Sequence, residues 1–200
     1  RLDQAMRESG GISSEARLDL IRHFLREEEA RLVREAQEGV PGLELSHRRA
    51  RLLSEVLLHL WNHAGDEESK SRLVLAAVGG FGREEMSPAS DVDLVFIREG
   101  GKEKTEEEVV RQILYVLWDI GLKVGHACRT VGETIERAES EPMIKTALLD
   151  ARCLAGSVAL WQQFSSEFRR KSLLRGVESY LSWRLENQAA RHAKDCLLYT

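Results

Sequence analysis

The sequence predicts an α+β fold in which a small mixed sheet with packed helices is flanked by further helices at both ends of the chain. Apolar residues recur at helical spacing through both terminal thirds. Two short apolar runs in the middle, residues 73–78 and 91–97, are closed by glycine pairs and are typical of buried strands. With 42% hydrophobic and 31% charged residues among 200, the composition is globular and excludes wholesale disorder.

Two helices are predicted before the sheet. The first begins at residue 13 or 14 and runs to about residue 37, where Gly39, Pro41 and Gly42 break the apolar period. The second runs over residues 46–63, with leucines, a valine and a tryptophan on one side. Both helices have one apolar face, so we expect them to pack on the rest of the molecule.

The central segment alternates strands and helices. Thr105 and Glu108 have the spacing of a capping box, which predicts a helix running to about residue 120. Residues 122–128 then predict a third strand, and residues 130–139 a short helix.

The last third is predicted to be helical. Pro142 suits the first turn of a helix that we expect to continue through Leu154 and to end at Gly156. Ser157 is a candidate cap for one or two long helices that reach the end of the chain, with a break near Gly176. The expected organisation is a helical region (1–64), a core with the sheet (65–139) and a helical region that packs on or follows the core (140–200).

Charge, hydropathy and cysteine content argue against some classes of partner and location. The 29 Lys and Arg against 33 Asp and Glu give a net charge of −4, which argues against a protein that grips nucleic acid. No apolar run approaches the about 18 residues needed to cross a bilayer, so no membrane partner is expected. Cys128, Cys153 and Cys196 are scattered, as expected of reduced thiols in a cytoplasmic protein.

The stretch VGGFGREEMSPASDVDL, residues 78–94, combines features that suit phosphoryl or nucleotidyl transfer. Asp91 and Asp93 alternate with apolar residues, so on a strand both carboxylates face one side with Cα atoms roughly 6.5–7 Å apart. Such a pair suits a hard divalent cation, Mg²⁺ above all. Gly79 and Gly80 allow close backbone approach to phosphate, and Arg83 supplies a positive charge nearby.

A glycine pair at a strand end, a ten-residue connection and Asp-x-Asp on the next strand are the pattern of the DNA polymerase β-like nucleotidyltransferases, which this segment resembles. GGFGREEMSPASDVDLVF is similar to the GGYGRGEL-PYSDIDL signature of the bacterial PII uridylyltransferases. WDIGLKVGHACRTVGETIE (residues 118–136) and IKTALLDARCLAGS (residues 144–157) also resemble stretches of that family. The resemblance spans roughly residues 73–191.

That resemblance implies an enzyme that transfers UMP from UTP to a tyrosine of the trimeric nitrogen-signalling protein PII, using Mg²⁺ or Mn²⁺. It implies metal-ligand roles for Asp91 and Asp93. The residues that it assigns to the triphosphate are Gly79, Gly80, Arg83 and, as a phosphate contact or a turn former, Ser90. Whole family members also carry an HD hydrolase domain and ACT domains, which this sequence lacks, so we expect a piece of a larger protein or a short relative.

The sequence departs from the family at Phe81, where the family has tyrosine, and at Glu84, where it has glycine. The third strand offers no third carboxylate, and His126 and Arg129 stay open as structural residues or substrate contacts. Two other functions also remain open. One is a nucleotidyltransferase with another donor, such as ATP, or another acceptor. The other is a nucleotide-binding regulatory module without catalysis.

Overall fold

The computed structural model describes residues 14–101, 103–174 and 176–194, and the predicted α+β fold is confirmed within these ranges. In chain order the elements are α1 (Ser14–Gln37), α2 (Gly42–His63), α3 (Glu67–Ser71), β1 (Leu73–Ala77), α4 (Gly79–Gly82), β2 (Val92–Arg98), α5 (Glu103–Asp119), β3 (Val124–Thr130), α6 (Val131–Ser140), α7 (Pro142–Leu149), β4 (Arg152–Gly156), α8 (Val158–Phe168), a π-helical turn (Arg169–Leu173) and α9 (Val177–Lys194).

The four strands form one mixed sheet in the order β3-β2-β1-β4. β1 lies antiparallel to both β2 and β4, whereas β2 and β3 run parallel. A parallel pair needs a long crossover, which α5 provides. The antiparallel pairing of β1 with β2 brings the end of the first strand beside the start of the second.

Helices cover both faces of the sheet. On one face, Leu75, Leu94 and Phe96 pack with α2 and α5. On the other face, Val95 and Ile97 pack with α6 and α8. Because residues of both faces are buried, β1 and most of β2 have the continuous apolar sequence that predicted them.

The predicted helix through Leu154 was wrong in its second half. α7 ends at Leu149, and Arg152–Gly156 forms β4, which pairs with β1. The apolar spacing across this segment fits a helix, and only pairing with a distant strand makes the last residues extended. The sheet therefore includes a strand from beyond the 65–139 segment, although the division into three regions itself stays a prediction.

The predicted capping box at Thr105 was also wrong, because α5 already contains Thr105, whose hydroxyl donates to Glu106 (3.2 Å). A capping box forms instead at Thr130, which opens α6. Its Oγ1 accepts from the Glu133 amide (3.3 Å), and its own amide donates to the Glu133 carboxylate (2.7 Å). The bonds that the amide and the hydroxyl of Thr130 donate to the Glu133 carboxylate hold the pKa of Glu133 below its ordinary value.

The helices predicted near both ends agree with the structure apart from small shifts, and the part of the last helix predicted beyond Lys194 lies outside the described residues. α2 begins at Gly42, four residues before the predicted start. Ser157 caps α8 by accepting from the Leu160 amide (3.4 Å), and Gly176 adopts a positive φ of 61° before α9. Among the described residues, no helix combines the length and the apolar character that a bilayer span requires.

Adjacent leucines of α2 test the packing of this helix on the sheet. Leu57 is 1% exposed and Leu58 is 39% exposed, and both lie in the helix interior. We expect Leu57→Ala to lower the free energy of unfolding by about 2–5 kcal/mol, since it leaves a cavity. Leu58→Ala should lower it by less than about 1 kcal/mol. Urea titration, with circular dichroism as the readout, measures both free energies of unfolding. Equal losses of stability in the two variants would contradict the assignment of Leu57 to the buried face of α2.

Candidate active site

The site is built where β1 ends beside the start of β2. The Val78 amide donates to the Asp93 carbonyl (3.1 Å), which extends the β1–β2 pairing by one residue. The chain then turns at Gly79, whose φ of 58° lies in the left-handed region that favours glycine. Residues 79–82 form the short helical turn α4, which contains the glycine pair and the first two residues of the predicted ten-residue connection.

The amides of α4 divide into two groups. Those of Gly82 and Arg83 donate to the carbonyls of Val78 and Gly79, both at 3.1 Å. The amides at the beginning of the turn, which include those of Gly79 and Gly80, have no acceptor inside a helix because helical bonds reach four residues back. The predicted phosphate-contacting glycines therefore lie where backbone N–H groups are left for other acceptors.

The Asp93 carboxylate lies between two glycines. A Cβ atom at Gly79 would be 3.7 Å from Oδ2, and a Cβ atom at Gly125 would collide with Oδ1. Gly125 is the register partner of Asp93 in the parallel β2–β3 pair, so it faces the same side of the sheet. Sequence reasoning missed Gly125, because only the register places it under the carboxylate.

Asp91 lies just before β2 and is exposed, and Asp93 also reaches the surface, although its carboxylate is partly enclosed by Gly79 and Gly125. Partial burial of the Asp93 carboxylate raises its pKa above the ordinary value, and the negative charge of Asp91 raises it further. A carboxylate whose ionisation is disfavoured by a neighbouring negative charge suits a divalent cation, which would relieve the repulsion.

Within the described ranges, no cluster of three or more His, Cys, Asp and Glu side chains could hold a metal ion. The Asp91–Asp93 pair nevertheless fits the oxygen ligands of a hard cation that keeps several waters or takes substrate phosphates. The residues present therefore fit Mg²⁺ or Mn²⁺ when water and substrate phosphate oxygens complete the ligand set.

Arg83 is held in place by carboxylates. Its Nε donates to Glu85 (2.9 Å), and its Nη1 donates to Asp150 (2.6 Å) in the turn before β4. The third nitrogen, Nη2, lies 4.0 Å from the position of a Cβ atom at Gly80. Arg83 thus presents one corner of its guanidinium to the glycine turn. Sequence reasoning quoted Asp150 within a family motif but gave it no role.

Glu84 occupies the position where the family signature has glycine, and the backbone explains that preference. Its φ is 62°, and among the described residues it is the one position other than glycine with a positive φ. Its carboxylate points to Arg152, with 3.5 Å between Oε1 and Nη1. The negative charge that Glu84 adds near the glycine turn is therefore paired with the Arg152 guanidinium.

Ser90 shapes the loop that leads to the carboxylates. Its amide donates to the Ser87 carbonyl (3.1 Å), and the two hydroxyls share a hydrogen bond (2.8 Å). The Ser87 carbonyl also accepts from Arg49 of α2 (2.5 Å), which is itself bound to Glu29 of α1 (2.8 Å). These contacts favour the turn-forming role for Ser90 and fix the loop to the helices.

His126 lies on the other face of the sheet. It pairs in register with Leu94, so it points away from the side that carries Asp93 and Gly125. Its ring packs edge-on against Trp118 of α5, with centroids 5.8 Å apart. Arg129 does share the face of Asp93, but it lies four residues further along β3 than Gly125, roughly 13 Å away.

The raised pKa of Asp93 has a consequence for stability. A carboxyl group whose pKa is raised by folding stabilises the protein when protonated, and that contribution is lost as pH rises through the folded-state pKa. We therefore expect Asp93→Asn, in EDTA, to raise the midpoint of thermal unfolding at neutral pH. The gain should shrink as pH falls towards the ordinary pKa of aspartate, about 3.9.

Asp19 provides the control for this measurement. It is an exposed carboxylate of α1 paired with Arg22 (2.9 Å), so Asp19→Asn should give no gain at neutral pH. Calorimetric scans of both variants at several pH values measure the midpoints of thermal unfolding. A lower midpoint for Asp93→Asn at neutral pH would show that the carboxylate is stabilised by folding rather than strained.

Comparison with known proteins identifies a family. Residues 63–154 match the nucleotidyltransferase domain. The bifunctional uridylyltransferase/uridylyl-removing enzyme of Novosphingobium aromaticivorans is 33% identical over 95% of this chain and 22% of its own length. The enzyme of that name from Rhodopseudomonas palustris is 34% identical over 84% of this chain and 18% of its own length. The one from Rhodospirillum rubrum is 35% identical over 92% of this chain and 19% of its own length.

The chain thus spans about a fifth of the length of these relatives. The domain match ends inside β4 and contains the glycine turn and both carboxylates. The resemblance seen in the sequence is confirmed. The chain belongs to the nucleotidyltransferases, in the branch that includes the bifunctional uridylyltransferase/uridylyl-removing enzymes.

Proposed function

We propose that this chain is the part of a uridylyltransferase that transfers UMP from UTP to a tyrosine of the PII signalling protein. The observation on which the proposal depends is the meeting of a glycine turn with two carboxylates, Asp91 and Asp93, in a nucleotidyltransferase domain. The donor and the acceptor are inferred from the resemblance to the PII uridylyltransferases, and the relatives, which are uridylyltransferases, support the transfer of UMP. A cytoplasmic location, where both would be available, remains part of this proposal.

In this proposal, the glycine turn and Arg83 bind the nucleotide. Amides of Gly79 and Gly80, with the free corner of Arg83, would bind the triphosphate and orient its α-phosphorus. The tyrosine oxygen of the acceptor would attack that phosphorus in line as pyrophosphate leaves. Glu85 and Asp150 would keep the Arg83 guanidinium from swinging into solvent.

Asp91 and Asp93 would hold Mg²⁺ or Mn²⁺ together with phosphate oxygens and water. Such a cation offsets negative charge on the attacking and leaving oxygens. The glycine beneath Asp93 leaves the carboxylate room to lie flat against β3, where it can face the substrate.

The first experiment is the intact mass of a bacterial PII protein after incubation with the chain, Mg²⁺ and either UTP or ATP. We expect a gain of one UMP per subunit with UTP, lost with Asp91→Asn. Asp119→Asn, at the end of α5, is the control that should transfer normally. A gain of AMP would show that ATP, and not UTP, is the donor. Nucleotide binding without any gain would favour the regulatory module, and neither binding nor gain would overturn the proposal.

Gly125 offers a second test that leaves every charged group in place. Gly125→Ala puts a methyl group on the Asp93 carboxylate, so we expect transfer to fall at least about tenfold, as for a misplaced catalytic group. Gly132→Ala in α6 has nothing within 4 Å of the new Cβ and is the matched control. Initial rates, with circular dichroism to verify folding, measure both. Wild-type rates for folded Gly125→Ala would contradict the role of Asp93.

A further inference from the structure

Arg152, the first residue of β4, reaches the glycine turn from below. Its Nε donates to the Gly82 carbonyl and its Nη2 to the Phe81 carbonyl, both at 3.3 Å. Both carbonyls lie at the end of α4, where a helix leaves acceptors for groups outside it, and that of Phe81 also accepts from the Glu84 amide (3.1 Å). A cation at this end also suits the negative end of the peptide dipoles.

The same guanidinium contacts two side chains of the turn. It lies over the ring of Phe81, 5.6 Å from the centroid, at a distance that allows a cation–π interaction. Phe81 is 1% exposed, so its ring is a fixed surface. Nη1 lies 3.5 Å from the Glu84 carboxylate, at the residue with the positive φ. Arg152 therefore contacts three residues of the segment that follows Gly80.

Arg152 is in turn anchored to α2. Its Nη2 donates to the hydroxyl of Ser54 (3.2 Å), a buried residue whose hydroxyl donates to the Ala50 carbonyl (2.9 Å). Two residues earlier, the Asp150 carbonyl packs so tightly on Gly82 that no Cβ atom would fit. The glycine turn consequently rests on residues that follow it by about seventy positions, with Arg152 as the polar link.

We propose that Arg152 is a positioning residue that holds α4 in the conformation that binds the triphosphate. This rests on the proposed function only in that α4 is taken to bind phosphate. Arg152 reaches the turn through the carbonyls of Phe81 and Gly82, while the amides of Gly79 and Gly80 open at the other end of the turn. Its loss should therefore weaken binding of nucleoside triphosphate and leave the acceptor protein unaffected.

The test compares Arg152→Met and Arg152→Lys with Arg22→Met. Arg22 is a matched control because its Nε and Nη2 also donate to a carbonyl at a helix end, that of Asp119 (3.2 and 2.8 Å), on α5. The two side chains are similarly exposed, 29% for Arg152 and 35% for Arg22. Titration calorimetry with UTP and Mg²⁺ gives Kd, and steady-state transfer gives KM for UTP and for PII.

We expect Arg152→Met to weaken UTP binding about tenfold, the change that one lost hydrogen bond of ordinary strength produces. KM for UTP should rise by the same factor with KM for PII unchanged, and Arg152→Lys, which keeps the charge, should recover part of the affinity. A purely structural role would instead lower the active fraction and leave Kd unchanged. Arg22→Met should bind UTP like the wild type.

Several results would overturn the inference. They are an unchanged Kd in folded Arg152→Met, an equal loss in Arg22→Met, or a wild-type chain that binds neither UTP nor ATP. If the wild type binds nucleotide but transfers nothing to PII, the proposed acceptor fails, whereas the inference is still decided by the Kd values. Binding and transfer measurements on the same variants therefore test the proposed acceptor and the role of Arg152 separately.

Discussion

The antiparallel pairing of β1 with β2 is the constraint on which the site depends. It sets the carboxyl end of one strand beside the amino end of the next, and the bond from the Val78 amide to the Asp93 carbonyl carries that pairing to the first residue of the turn. Glycine amides and carboxylates, with ten residues between Gly80 and Asp91, are thereby held on one edge of the sheet. Without that register the same residues would form an ordinary loop and a solvated strand end.

The electrostatics of the site oppose its stability. Asp93 lies partly buried with a second carboxylate nearby, and folding raises its pKa instead of satisfying its charge. The surrounding sheet tolerates this because both of its faces are packed, one against α2 and α5 and the other against α6 and α8. Strain of this kind is common where a protein must receive a ligand that supplies the missing charge.

The sequence predicted those features of the fold and the site that depend on residues close together in the chain. The apolar runs of β1 and β2, the glycine turn and Asp-x-Asp were all visible, because strand burial and turn chemistry leave short-range marks. Features set by distant pairing were not visible. β4 looks helical until β1 is beside it, Gly125 has meaning only through the β2–β3 register, and Asp150 finds Arg83 only after the chain folds back.

The support of the turn by β4 also has a consequence for the order in which the protein is made. About seventy residues separate Gly82 from Arg152, and ribosomes release a chain from its amino end at about 5–20 residues per second. The glycine turn and both aspartates therefore leave the ribosome several seconds before the residues that complete them. During that interval the nascent chain can pair β1 with β2, while the edge of β1 that later receives β4 stays open to a chaperone or to another nascent strand.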